Sequence, residues 1–190
     1  MSKTLLVVSV RFPAIVLLMF LMAAFMPVTG DLRISQESSK KLNKSMAEIY
    51  PGHKPRLEKL LLDAPEIEDT DVLNADGKWF AIREKGLTLG WLMADRIWGR
   101  HHEFEYVLIV DTSCKIINVS VLSYPDSHGF AVNGTEWLSG FGGFSSDSFP
   151  VYGRNVDALS GSTISGTSLT ESVSSSLRIL KKLNESGLLK

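Results

Sequence analysis

Between Trp79 and Tyr124 four runs of apolar, β-branched and aromatic residues follow one another, separated by turn residues: Trp79–Arg83, Leu87–Ala94, Phe104–Asp111 and Ile116–Tyr124. Such a series reads as a strand meander. Val107–Val110 is apolar at every position, so that strand needs cover on both faces. Ile117, Val119 and Val121 alternate with Asn118 and Ser120, which predicts one wetter face for the last strand. Asp111–Lys115 supplies the hairpin connection before it.

Helical patterns flank the meander. Gln36–Tyr50 is polar, with Leu42, Met46 and Ile49 at helical spacing, and Pro51-Gly52 ends it. Arg56–Leu62 reads as a short helix stopped before Pro65, and Glu66–Asp71 as an acidic loop. Pro125–Asn155 is rich in Gly, Ser, Phe and Asp, with a short helical pattern at Thr135–Ser139. Long irregular segments in compact domains are functional or disordered. Phe130, Trp137, Phe141, Phe144 and Phe149 argue against disorder here. Leu169, Val173, Leu177 and Leu180 mark a closing amphipathic helix, and Ser168 with Glu171 has capping-box spacing. The expected class is α+β: an antiparallel strand meander packed with flanking helices and preceded by one N-terminal membrane helix. Residues 1–30 form the membrane segment, 31–75 a helical lead-in and 76–190 the main domain.

Phe12–Val28 carries no charge. The run is long enough to anchor, since a spanning helix needs about 17–25 residues. It is also compatible with a cleaved signal peptide, whose apolar region is roughly 7–15 residues long; its length favours a retained anchor. Lys3 and Arg11 precede the run and Asp31 follows it. Excess Lys and Arg stay on the cytoplasmic side. The expected protein is therefore single-pass in the cytoplasmic membrane, its C-terminal domain facing the periplasm or exterior. No Cys stands directly after the run, so a lipoprotein anchor is excluded.

Composition narrows the chemistry. Hydrophobic residues make up 44% and charged residues 22%, with a net charge of −1. No basic excess exists to bind a nucleic-acid backbone. The single Cys114 excludes an internal disulfide and metal or iron–sulfur sites built from Cys alone. His101-His102 is weak as a metal site, because adjacent side chains on a strand point to opposite faces. His128, in the aromatic loop, reads as a partly exposed loop residue. No Gly-x-Ser-x-Gly elbow is present.

Asp157–Ser165 reads DALSGSTIS and lies immediately before the closing helix. It is a small, hydroxyl-rich loop leading into a helix N-terminus, where backbone N–H groups lack partners. Phosphate is a natural occupant of such an end, and Gly161 permits a close approach or a positive φ. The alternative is a solvated cap, in which Asp157 is only a turn residue.

The spacing Asp157-x-x-Ser160-Gly161-Ser162-Thr163 resembles the flavinylation motif of the FMN-binding domain family, which includes the Rnf complex G subunit and the C subunit of the sodium-pumping NADH:quinone reductase. Ala is commoner than Ser at the position of Ser162. The pattern of Val107–Leu122, in which one strand ends at Asp and the next begins near Lys-Ile, is also similar. So are Trp137 and Phe141-Gly142. Asp126, Ser127 and Gly129 align with the family's flavin-ring loop, although its Pro and second Gly are missing.

The resemblance implies that 76–190 is an FMN-binding domain with FMN joined through a phosphoester to Thr163. Ser160, Gly161, Ser162, Ser165, Asp157, Asp126, Ser127, Gly129 and Trp137 would form its surroundings, and the ring would stack on Trp137, Phe130 or Phe141. A separate flavin transferase would attach the cofactor. The implied role is an outward-facing, membrane-anchored electron carrier or redox subunit, rather than a stand-alone enzyme, with membrane redox proteins as partners. The competing readings are a flavin-free anchored interaction domain and a domain that binds FMN non-covalently.

Overall fold

The computed structural model describes Leu32 and residues 34–62 and 70–189. The expected membrane segment and most of the acidic loop lie outside these residues. Among the described residues no helix is long and apolar enough to cross a membrane.

Five strands form one antiparallel sheet in chain order: β1 (Arg56–Lys59), β2 (Trp79–Glu84), β3 (Leu87–Trp98), β4 (Glu103–Val110) and β5 (Ile116–Ser123). Helix α1 (Gln36–Ile49) covers one face of the sheet. The helix α2 (Thr70–Leu73), a 3-10 turn (Phe130–Asn133), α3 (Thr135–Ser139) and the long α4 (Thr163–Glu185) cover the other. The expected α+β class and the four-run meander are present in this arrangement. The Arg56–Leu62 expectation needs correction: Arg56–Lys59 is an edge strand paired with Phe80–Arg83. Its apolar residues fall three or four apart, which imitates a helix. Only Leu57 is even partly covered in the strand, so period-2 alternation is invisible there.

Strand β4 is interior to the sheet, and Phe104–Val110 is buried throughout. Tyr106, Leu108 and Val110 face α4, whereas Val107 and Ile109 face α1. This double cover accounts for the unbroken apolar run. In β5 the alternation slips by one residue. Val110 pairs with Ile116 and Ile109 with Asn118, so Ile117 is the extra residue of a bulge. Ile116 takes the buried place and Ile117 is turned outward. Asp111 closes the preceding hairpin, its Oδ1 accepting from the amides of Ser113 and Lys115 at 2.8 and 3.0 Å.

Helix α4 begins at Thr163, earlier than the capping-box spacing suggested; Ser168 and Glu171 lie inside it. Its first turns, Thr-Ile-Ser-Gly-Thr-Ser, have modest helix propensity. Packing holds them: Leu169, Val173, Leu177, Leu180 and Leu183 are fully buried, each worth about 1.5–3 kcal/mol against exposure.

At its N-terminus α1 is closed by protein groups. Ser35 Oγ accepts from the Ser38 amide at 3.1 Å. Ser38 Oγ donates to the buried Glu105 carboxylate, which also accepts from the Ser35 amide at 3.3 Å and from Arg96 at 2.6 Å. Burial raises the Glu105 pKa, but these donors outweigh it and hold the carboxyl below its usual range.

Candidate functional site

The DALSGSTIS loop is pinned at two points and open after them. Trp137 Nε1 donates to the Asp157 carbonyl at 2.8 Å. The Leu159 amide donates to the Tyr152 hydroxyl at 2.6 Å. Beyond Leu159 the chain turns through Gly161 at φ +73°, a conformation that favours glycine, and enters α4. The Asp157 side chain and Ser160 are exposed.

The start of α4 is an unfilled donor cluster. Ser162 is its N-cap, but the side chain makes no capping hydrogen bond. The Ser162 carbonyl accepts from Gly166, while the Thr163, Ile164 and Ser165 amides have no acceptor among the described residues. Ser162 is 4% exposed, and its buried Oγ has no hydrogen-bond partner. Unpaired buried polar atoms are uncommon and cost roughly 1–3 kcal/mol. Thr163 is exposed, and its hydroxyl makes only a long contact of 3.5 Å to the Leu159 carbonyl.

These groups face a cavity of about 190 Å³ lined by Gly161–Ser165 on one side and by Arg100, Tyr124, His128 and Gly129 on the other. Tyr124 braces it. Its hydroxyl donates to the His128 carbonyl at 2.9 Å and meets Ser165 Oγ at 2.8 Å. Gly129 has φ +86°, and a Cβ there would collide with that hydroxyl. Ser162 Oγ would lie 3.6 Å from the same Cβ, so the absence of a side chain at 129 keeps this part of the cavity open.

Arg100 was missed by sequence reasoning. It sits in the turn between β3 and β4, next to the two histidines, and reaches the cavity only because that hairpin places it beside α4. The available signal was a run of three basic or titratable residues in one short turn. The same turn corrects the placing of His101 and His102, which lie in a bend and not on a strand. His102 Nδ1 is 2.6 Å from Asp126 Oδ1, and the His101 amide donates to Asp126 Oδ2 at 3.1 Å. Asp126 is 2% exposed. Burial pushes its pKa up, but His102 and the amides of both histidines overcome this and hold it below the usual range.

The fold therefore gathers Gly129, Gly161, Ser162, Thr163 and Ser165 at one cavity, with the Ser165 hydroxyl already engaged by Tyr124. Asp126 and Trp137 stand behind it: one holds the Arg100 turn, the other the incoming loop. Ser127 is exposed and meets only His128, at 3.0 Å. The expected stacking candidates separate. Phe141 is fully buried and unavailable to a ligand; Phe130 is 59% exposed and packs edge-on to Tyr124, 5.8 Å between ring centroids.

A doubly unpartnered helix start, a free hydroxyl and a guanidinium form a receptor for a phosphate-sized anion. No protein-family model matches the chain, and no curated protein matches it. Among solved structures, the crystal structure of Shewanella oneidensis NqrC is similar over 87% of this chain and 96% of that one, at 16% identity and a TM-score of 0.46. A likeness of that degree carries no functional weight; the chemistry of the cavity does.

Proposed function

We propose that the protein is an electron carrier bearing FMN, joined through its phosphate to Thr163 Oγ1. The observation that carries this reading is an exposed Thr163 hydroxyl at the first position of a helix whose leading amides are unpaired. The residues fit the group. The amides of Thr163, Ile164 and Ser165, the unpartnered Ser162 hydroxyl and the Arg100 guanidinium would hold the phosphate oxygens.

The size of the cavity supports a covalent link. Pockets that enclose drug-sized ligands measure roughly 300–1,000 Å³, and this one is about 190 Å³. It would take the phosphate end and leave a flavin ring outside the cavity, on the side of exposed Phe130. Thr163 would attack the flavin-side phosphorus of FAD within a flavin transferase: the Oγ1–phosphorus bond forms, the pyrophosphate bond breaks, the hydroxyl proton is lost and AMP leaves. The attached group supplies one- and two-electron transfer. This chain's residues would fix its position, with Tyr124 and Gly129 forming the opposite wall of the cavity. The proposal includes the N-terminal anchor, the outward-facing domain, the transferase and membrane redox partners.

Co-expression with a flavin transferase, followed by a denaturing gel viewed under ultraviolet light, tests it. A fluorescent band that disappears in Thr163→Ala is the expected result. Fluorescence that survives Thr163→Ala refutes the attachment residue. A yellow native protein without covalent flavin would favour non-covalent binding, and no flavin in either form would leave an anchored interaction domain.

A further inference from the structure

We propose that the end of the sheet carrying the cavity lies against the lipid bilayer, with Trp98, Phe130 and Ile164 seated in the interfacial layer. The proposal rests on the anchor part of the reading above. Three exposed apolar side chains surround this end: Trp98 at 63%, Phe130 at 59% and Ile164 at 52%. Trp98 ends β3 and lies beside the Gly99–His102 turn, on the α1 side. Ile164 lines the cavity with Arg100 and Gly129, and Phe130, the residue after Gly129, packs edge-on to the lining residue Tyr124.

The path of the chain selects a membrane as the occupant. Leu32 and Ile34 line a cleft with Arg96 and Glu105, two residues from Trp98 and from the start of β4 respectively. The chain therefore enters the domain at the same end. Four residue steps separate Leu32 from Val28, the last residue of the apolar run, and four residues span at most about 14 Å when fully extended. An anchored run on so short a lead holds this end close to the headgroups. The chemistry matches that depth: Trp concentrates at membrane–water interfaces. Trp79 and Trp91 are buried in the core, Trp137 is half-buried with its indole N–H bonded to the Asp157 carbonyl, and Trp98 is 63% exposed, so the loss of signal in Trp98→Phe reports contact.

The full-length protein, expressed without a transferase and hence free of covalent flavin, is reconstituted into phosphatidylcholine–phosphatidylglycerol vesicles with or without dibrominated acyl chains. Flotation first reports whether the chain is anchored. The expected result is tryptophan quenching by the brominated lipid that falls by at least half in Trp98→Phe and partly in Phe130→Ser. Quenching that is absent, or unchanged in Trp98→Phe, in vesicles that carry the protein overturns the docking proposal and leaves the flavin and anchor readings standing. A chain that fails to float overturns the anchor and this proposal together, and leaves Thr163 flavinylation to its own test.

Discussion

Replacing Gly129 by Ala tests whether the cavity is braced as described. The new Cβ faces two penalties. A non-glycine residue at positive φ costs roughly 1–2 kcal/mol. The Tyr124 hydroxyl must also move, giving up its bonds to the His128 carbonyl and Ser165 Oγ, each worth about 0.5–1.5 kcal/mol. The sum is about 2–5 kcal/mol, and a central 3 kcal/mol lowers Tm by roughly 6–12 °C in a chain of this size. The Tyr124→Phe background removes the obstructing oxygen, while the ring carbon that bore it would stand 3.5 Å from the new Cβ, an ordinary contact. There Gly129→Ala should cost only the backbone strain, about 1–2 kcal/mol. Denaturant unfolding of the four proteins in this double-mutant cycle gives the coupling directly. Equal losses in both backgrounds would refute the claim that the Tyr124 hydroxyl occupies the space a side chain at 129 would need.

Arg100→Ala should reduce flavinylation of Thr163 roughly tenfold at limiting transferase, since a hydrogen bond to a charged group is worth about 1.5–3 kcal/mol; Arg100→Lys should recover part of the loss, and in-gel fluorescence over time reads both. Asp126→Asn should loosen the Arg100 turn and slow flavinylation while leaving Thr163 modifiable. The depressed pKa values of Asp126 and Glu105 mean that their stabilisation is complete above the unfolded values of about 3.9 and 4.3 and is lost as pH falls through the lower folded values. Acid unfolding below about pH 4 should therefore flatten in Asp126→Asn or Glu105→Gln, as measured by circular dichroism.

The meander and the double burial of β4 were legible because an interior strand covered on both faces leaves a distinctive run, Val107–Val110. Strand β1 was not: at a sheet edge, Arg56-Leu57-Glu58-Lys59 has one partly covered side chain, and the following leucines supply a false helical period. The start of α4 was hidden because Thr163–Ser168 is held helical by tertiary packing, whereas its local sequence favours caps and turns. At the site, the residues adjacent in sequence were found together because one loop carries them. Arg100, Tyr124 and Gly129 come to the cavity from the β3–β4 turn and the segment after β5, and no local pattern encodes that meeting. Phe141 was misjudged because loop aromatics and core aromatics look alike until a surface exists to bury one of them.

The two long helices begin at the same end of the sheet, and they make an internal control. Helix α1 is supplied with its own anion: Glu105 sits against Ser35 and Ser38. Helix α4, in the same chain, has Ser162 in place and does not use it as a cap. The fold can thus complete a helix start, and at one of two it refrains. Ser162→Asp would give α4 what α1 already has, raising stability by about 0.5–2 kcal/mol while filling the cavity with a fixed negative charge. A more stable protein that no longer accepts a phosphate would be the result, with the incomplete helix start as the stability forgone to keep that place open.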